Sequence, residues 1–250
     1  MSAASGRCPC DGHCCRRYAV NVCGYDVWRI STGLRLRPEQ FLVTFPLPEP
    51  RFDGFRLEPD GPLLGLLLDK RGRRGQGNLR LSLPCIFLVT FTDGIERCGI
   101  YAERPFACRS YPMVARDGDI APRPDALCPD GCWRLDDETK PAWNATLRRQ
   151  TMQLNLYAEV ASRWNARVAA AAPGTTFPVL EYFSYLLNVY DQIDRLGQEL
   201  GPEQMARVEA SWPAEPPGGA PLDRALPWVD YFLRARDALR EFYPEVASPH

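Results

Sequence analysis

The rhythm of hydrophobic and polar positions changes about midway along the chain. Across residues 41–83 the apolar runs are short: FLVTF, RFDGFRLEP, LLGLLLDK and NLRLSL, broken by Pro, Gly and Asp. Such runs predict strands. CIFLV and IERCGIY then flank Thr92-Asp93-Gly94 and predict an extended pair about that turn. From residue 139 the period lengthens. Thr139 or Lys140 begins a helix, with Pro141 tolerated in its first turn. Trp143, Leu147, Thr151, Leu154, Ala158, Ala161, Trp164 and Val168 follow at three- and four-residue steps and predict one buried face. A second helix is predicted over 179–196, with Phe183, Leu186, Leu187, Tyr190 and Ile193 inward and Gly197 and Gly201 punctuating its end. Residues 202–212 read as a short third helix. Trp228, Phe232, Ala235, Leu239 and Phe242 mark a last amphipathic one. Residues 25–30 read as a short helix and 37–40 as a turn. Residues 113–140 and the PAEPPGGAP stretch, 213–221, read as loop or linker. The expectation is an α+β fold: a small cysteine-rich half with short strands (1–138), then a mainly α-helical region packing on it (139–250).

Composition narrows the classes. A chain of 250 residues can bury one sizeable core, or one core and a small satellite. Its formal net charge of −1 advertises no global attraction to nucleic acid or an anionic membrane. RGRRGQGN (71–78) is the one basic run singled out, and it has no aromatic platform beside it. It reads as a solvated loop, which argues against a nucleic-acid partner. MSAASGR lacks the apolar core of a secretory signal, and the apolar run 62–68 is far too short to span a bilayer. The expectation is a cytoplasmic protein without a membrane partner.

That setting makes ten cysteines informative, because clustered thiols in a reducing compartment more often serve metal or redox chemistry than disulfides. CPCDGHCC places Cys8, Cys10, Cys14 and Cys15 within eight residues, so a loop can aim several sulfurs at one point with little closure entropy. Zinc and iron–sulfur clusters both take such thiolates, and softness does not separate them. Neighbouring side chains point apart in extended backbone, so Cys14 and Cys15 are awkward joint ligands for a single ion. This tilts the reading toward a polynuclear or two-metal site, against a vicinal disulfide or two unrelated thiols. Cys85, Cys98 and Cys108 become ligands only if the fold carries them to that knot; otherwise they are small buried hydrophobes. Arg16, Arg17, Arg97, Arg104 and Arg109 lie near cysteines, and arginine can donate to thiolate sulfur or simply be a surface charge. Arg104 and Arg109, with Tyr101 in the same stretch, are the candidates to surround the centre. Cys128-Pro-Asp-Gly-Cys132 is a candidate second half-site. Cys23 stands alone as a spare buried thiol. His13 sits inside the knot, but two histidines in the whole chain argue against a His-rich catalytic zinc site.

At these residues the chain resembles the bacterial CxxCxxCC cysteine-cluster family, also called YkgJ-like and described as zinc- or iron-chelating. The family's knot ending in Cys-Cys-Arg is CPCDGHCCR here, its Cys before Phe-Leu is CIFL from Cys85, and C-x-I-Y-x-x-R-P-x-x-C-R-x-Y-P is matched from Cys98 to Pro112 at nine fixed positions in fifteen residues. The usual C-x-x-C-x-x-C-C spacing is altered, since the second cysteine falls at Cys10. The resemblance spans about residues 8–112 and implies metal binding by Cys14, Cys15, Cys85, Cys98 and Cys108, with Cys8 and Cys10. It implies zinc or iron, including an iron–sulfur cluster, as cofactor and leaves the activity undefined. A related segment in flagellin lysine methylases supplies an enzymatic alternative, beside an iron–sulfur oxidoreductase and a metal-delivery or interaction protein. The chain carries neither a G-x-G-x-x-G loop nor a nucleophile elbow.

Overall fold

Aromatic side chains on two long helices set the core. In the computed structural model, residues 12–48, 54–71, 83–116, 119–128, 133–212 and 226–242 are described. Cys8, Cys10, Cys132, the strand expected over NLRLSL, most of RGRRGQGN and the 213–221 linker lie outside these residues or nearly so. Helix α4 spans Lys140–Ala169, α5 spans Val179–Ser211 and α6 spans Pro227–Phe242. Trp164 of α4 is fully buried; its indole meets Tyr182 edge-on at 5.2 Å and Phe177 at 5.6 Å. Tyr182 in turn stacks on Phe55 at 3.8 Å and shares a 3.0 Å hydroxyl hydrogen bond with Tyr157. Aromatic pairs of this kind add about 0.5–1.5 kcal/mol beyond the area they bury.

Thr139 precedes α4 and Pro141 lies in its first turn, as the sequence predicts. The buried face is shifted. Met152, Gln153, Leu156, Tyr157 and Val160 are buried with Ala161, Trp164 and Val168, whereas Trp143, Leu147, Thr151, Leu154 and Ala158 are only partly covered. The reason is that α4 is covered from several sides, by α5 and by shorter helices of the first half, so no single stripe describes it. The expected second and third helices are both present within α5, separated by a kink at Gly201 (φ 76°) before Pro202; the second passes Gly197 and extends to that kink.

The first half holds short elements: α1 (His13–Arg17), α2 (Gly24–Leu34), a 3-10 turn at Pro38–Gln40, and strands β1 (Leu42–Pro46) and β2 (Leu64–Leu68) paired antiparallel. Strands β3 (Leu88–Thr90) and β4 (Glu96–Cys98) pair about the expected turn, with Leu88 opposite Cys98. Helix α3 (Phe106–Ser110) follows, and β5 (Met113–Arg116) pairs with β6 (Asp119–Pro122). The fold is thus α+β, with short antiparallel pairs first and helices after. Met113–Arg116 and Asp119–Pro122 pair as strands rather than lying in the loop expected, and buried Met113 and Ile120 hold the inner face of the pair. The described part of RFDGFRLEP is not a strand. Only Phe55 bridges Leu64, while Asn165 of α4 accepts from the Arg56 amide (2.8 Å) and donates to the Gly54 carbonyl (2.9 Å). Among the described residues, no helix is long and apolar enough to cross a membrane.

One apolar cluster joins both parts of the chain, running from Val20, Val27 and Phe41 to Trp164, Leu186 and Tyr231. Helix α2 enters this core end-on. A Cβ at Gly24 would stand 2.3 Å from the Tyr190 ring, so only glycine admits the close approach.

Candidate metal centre

Four separate backbone devices bring cysteines to one place. Gly12, with φ 74°, turns the chain into α1, and a side chain there would collide with Glu96. Helix α1 then presents Cys14 and Cys15, whose sulfurs lie 3.9 Å apart. Arg16 forks onto Glu96 of β4, with Nε donating to Oε2 at 3.1 Å, which fixes α1 against the strand that ends in Cys98. The Cys85 amide donates to the Cys15 carbonyl at 2.9 Å, so the second cysteine segment is hydrogen-bonded to the first. Cys108 rides on α3, whose first amide, that of Phe106, donates to Asp26 Oδ1 at 3.0 Å.

Cys14, Cys15, Cys85, Cys98 and Cys108 all line a single cavity of about 100 Å³, together with Tyr18, Arg104 and Tyr111. No disulfide joins any two of the described cysteines, which removes the vicinal-disulfide reading of Cys14 and Cys15. Burial pushes the Cys85 thiol up to about 11, and the neighbouring Cys15 and Cys98 add to the effect. Burial likewise pushes Cys108 well up, reinforced by Cys85, Cys15 and Cys98. These thiols resist ionising without a cation among them. Among the described residues, no three His, Cys, Asp or Glu side chains converge closely enough to hold one metal ion. The donor set is nonetheless all sulfur on one wall-lined space, which suits a soft, thiophilic metal.

Two buried charges that sequence reasoning missed support this wall. Lys70 is 4 % exposed and its ammonium donates to the carbonyls of Cys15 (2.7 Å) and Tyr18 (2.6 Å). Burial lowers its pKa, and the nearby Cys85, Cys15, Cys108 and Cys14 oppose that shift. Asp26 is 5 % exposed and accepts from the Cys23 amide (3.1 Å) and thiol (3.3 Å) as well as from Phe106, so it ties α2 to α3. Burial raises its pKa, and the amide donors of Phe106 and Cys23 oppose the rise. The only available signals were the Lys70 that closes an apolar strand run and an Asp three residues after a cysteine.

The remaining predicted residues spread around the cavity. Arg104 lines it and lies 3.7 Å over the exposed Tyr101 ring. Arg109 instead donates to the Arg104 carbonyl (2.7 Å) and to that of Ala102, so it braces the loop before α3. Cys128 does not line the cavity but lies near enough to Tyr111, which does, to add to the upward shift that burial gives its hydroxyl. Cys23 is buried apart from the cavity. Arg17 and Arg97 do not line the cavity.

A cysteine-lined cavity in a small α+β unit defines a class of thiol-based metal-chelating domain. The sequence profile of the CxxCxxCC family, described as "Putative zinc- or iron-chelating domain", matches residues 7–133, about half of the chain. The chain belongs to that family. The match extends past the fifteen-residue motif to include Cys128 and Cys132. No curated protein and no solved structure is significantly similar to the chain.

Proposed function

We propose that Cys14, Cys15, Cys85, Cys98 and Cys108 hold a centre of more than one metal atom, iron or zinc, and that residues 1–138 form the unit that carries it in the cytoplasm. The observation that supports this reading is the single cavity walled by five thiols from four segments. A lone tetrahedral ion needs four ligands at about 2.3 Å. Five thiols on one cavity exceed the four that a lone tetrahedral ion takes, which favours a cluster or a pair of ions. Cys8 and Cys10 adjoin Cys14 in sequence, and Cys128 and Cys132 close the matched segment; they are the further ligands of this proposal.

The chain's own residues prepare the site. Lys70 supplies a buried positive charge behind a wall of thiolates, and Arg104 a second one at its edge. Arg109 and Tyr101 hold Arg104 and its loop. Metal content, acid-labile sulfide and visible absorption, measured on protein purified without oxygen, test the proposal. Cys98→Ser and Cys108→Ser are each expected to reduce bound metal at least severalfold. A broad absorption near about 400 nm with iron and sulfide identifies a cluster. Colourless protein with tightly held zinc identifies a zinc site and removes an oxidoreductase role. Retention of full metal by both variants overturns the ligand assignment.

A further inference from the structure

A second cavity, of about 480 Å³, lies away from the cysteines, where α2, α4, α5 and α6 meet. Its walls are aromatic and acidic. Tyr25, Trp28, Tyr190 and Tyr231 supply rings; Met152, Ile193 and Met205 supply further apolar surface; Asp194 and Glu209 supply carboxylates. Among the described residues, no Lys, Arg or His lines it.

The rings are fixed. Tyr25 packs on Trp28 at 5.7 Å and on Tyr190 at 6.4 Å. The Trp28 indole donates to Asp191 Oδ1 at 2.7 Å, which sets its plane. Asp194 Oδ2 accepts from the neutral amide of Gln198 at 2.6 Å, whereas Glu209 is already paired with Arg149 at 2.7 Å, so Asp194 supplies the negative charge of the cavity.

We infer that this cavity binds an organic cation, an ammonium group carried either by a free small molecule or by a lysine side chain. Aromatic rings attract a desolvated cation, and Asp194 neutralises it. A bare divalent ion is a poorer guest, because most of the lining is apolar and cannot replace its water shell.

Calorimetric titration of the full-length, metal-loaded protein tests the inference. The probes are choline, its neutral carbon isostere 3,3-dimethylbutan-1-ol, and the tripeptide Gly-Lys-Gly. Choline or the tripeptide is expected to bind about tenfold more tightly than the isostere, in line with the ring-and-charge contribution. Tighter binding by choline assigns the site to a free small-molecule ammonium, and tighter binding by the tripeptide assigns it to a lysine side chain. Asp194→Asn, a half-buried and nearly isosteric change, is expected to weaken the cation about fivefold or more, with metal content and helical circular dichroism unchanged. Equal affinity for the isostere, no saturable binding of either cation, or an Asp194→Asn variant that binds as the parent overturns the inference. Since the readout is independent of the thiols, its failure leaves the metal proposal standing, and loss of the metal proposal leaves this one.

Discussion

The cysteine-bearing half and the helical half are held by different means. The helical half buries Trp164, Tyr157, Tyr182 and Tyr190 between helices of thirty and thirty-three residues. Among its described residues the first half has three separate two-stranded pairs and no strand longer than five residues. A two-stranded pair is marginal in water unless something else packs on it. Cys98 of β4 and Cys108 of α3 line the thiol-walled cavity beside buried Lys70, and α3 also packs on α4. The difference teaches that the helical region rests on aromatic burial, which Phe55 of the first half shares, while β3, β4 and α3 depend more on what the thiols bind.

Removing metal is the largest test of that contrast. Structural thiolate sites contribute about 10 kcal/mol or more of apparent folding energy to small domains. A strong chelator is expected to lower amide protection in β3, β4 and α3 at least about a hundredfold in hydrogen exchange, with α4 and α5 little changed. Equal loss in all elements would show one cooperative unit and break the comparison. Acid should act in the same direction. Burial holds the Cys85 thiol up to about 11 and pushes Cys108 well above the usual thiol range, so both are protonated at neutral pH until metal displaces the protons. Affinity for metal is therefore expected to rise with pH, about tenfold per unit for each proton displaced, and to fall as the solution is acidified.

The next effect in size probes the other half. Trp164→Ala removes a side chain with no exposure and an indole donor bonded to the Arg56 carbonyl at 2.6 Å. Its expected cost is about 3–5 kcal/mol, read from the denaturation midpoint. Metal stoichiometry in the folded fraction is expected to hold. A variant that folds but loses its metal would show that the aromatic core positions the thiols directly.

Lys70→Met separates charge from packing inside the first half. The apolar stem is kept, while the ammonium that donates to the Cys15 and Tyr18 carbonyls is lost. Outer groups of this type change metal affinity by about 10–100-fold, and a loss in that range is expected in competition with a chelator. Unchanged affinity would confine Lys70 to holding backbone.

The cysteine segments were legible because their spacing is local: Cys14 and Cys15, Cys85 before Phe87, and the nine fixed positions from Cys98 to Pro112 stand in the sequence itself. Convergence of Cys85 with Cys15 was not, since it rests on one backbone hydrogen bond between residues seventy apart. Lys70 and Asp26 were hidden for a related reason. Each is a lone charge whose partners are backbone groups of other segments, and no periodicity marks such a residue. The buried face of α4 was misplaced because periodicity describes a helix with one neighbour. The β5–β6 pair was missed because two four-residue strands carry too few alternations to stand out from a loop.

The smallest expected effect is also the sharpest control. Cys23 is buried, precedes α2 as its N-cap, and donates to Asp26 Oδ2 at 3.3 Å. Burial pushes its thiol well up, with Asp26 adding to the effect, as burial does for Cys108; what sets Cys23 apart is that it does not line the cavity of the other thiols. Serine is among the favoured N-cap residues and keeps a donor for Asp26, at the loss of some buried volume. Cys23→Ser is therefore expected to shift stability by about 1 kcal/mol or less and to leave metal stoichiometry at the parent value. Cys108 sits on α3, the helix that Asp26 ties to α2, and the same substitution there should strip metal. If Cys23→Ser loses as much metal as Cys108→Ser, the α2 terminus belongs to the metal-holding region, and the boundary between the two regions moves into the aromatic core.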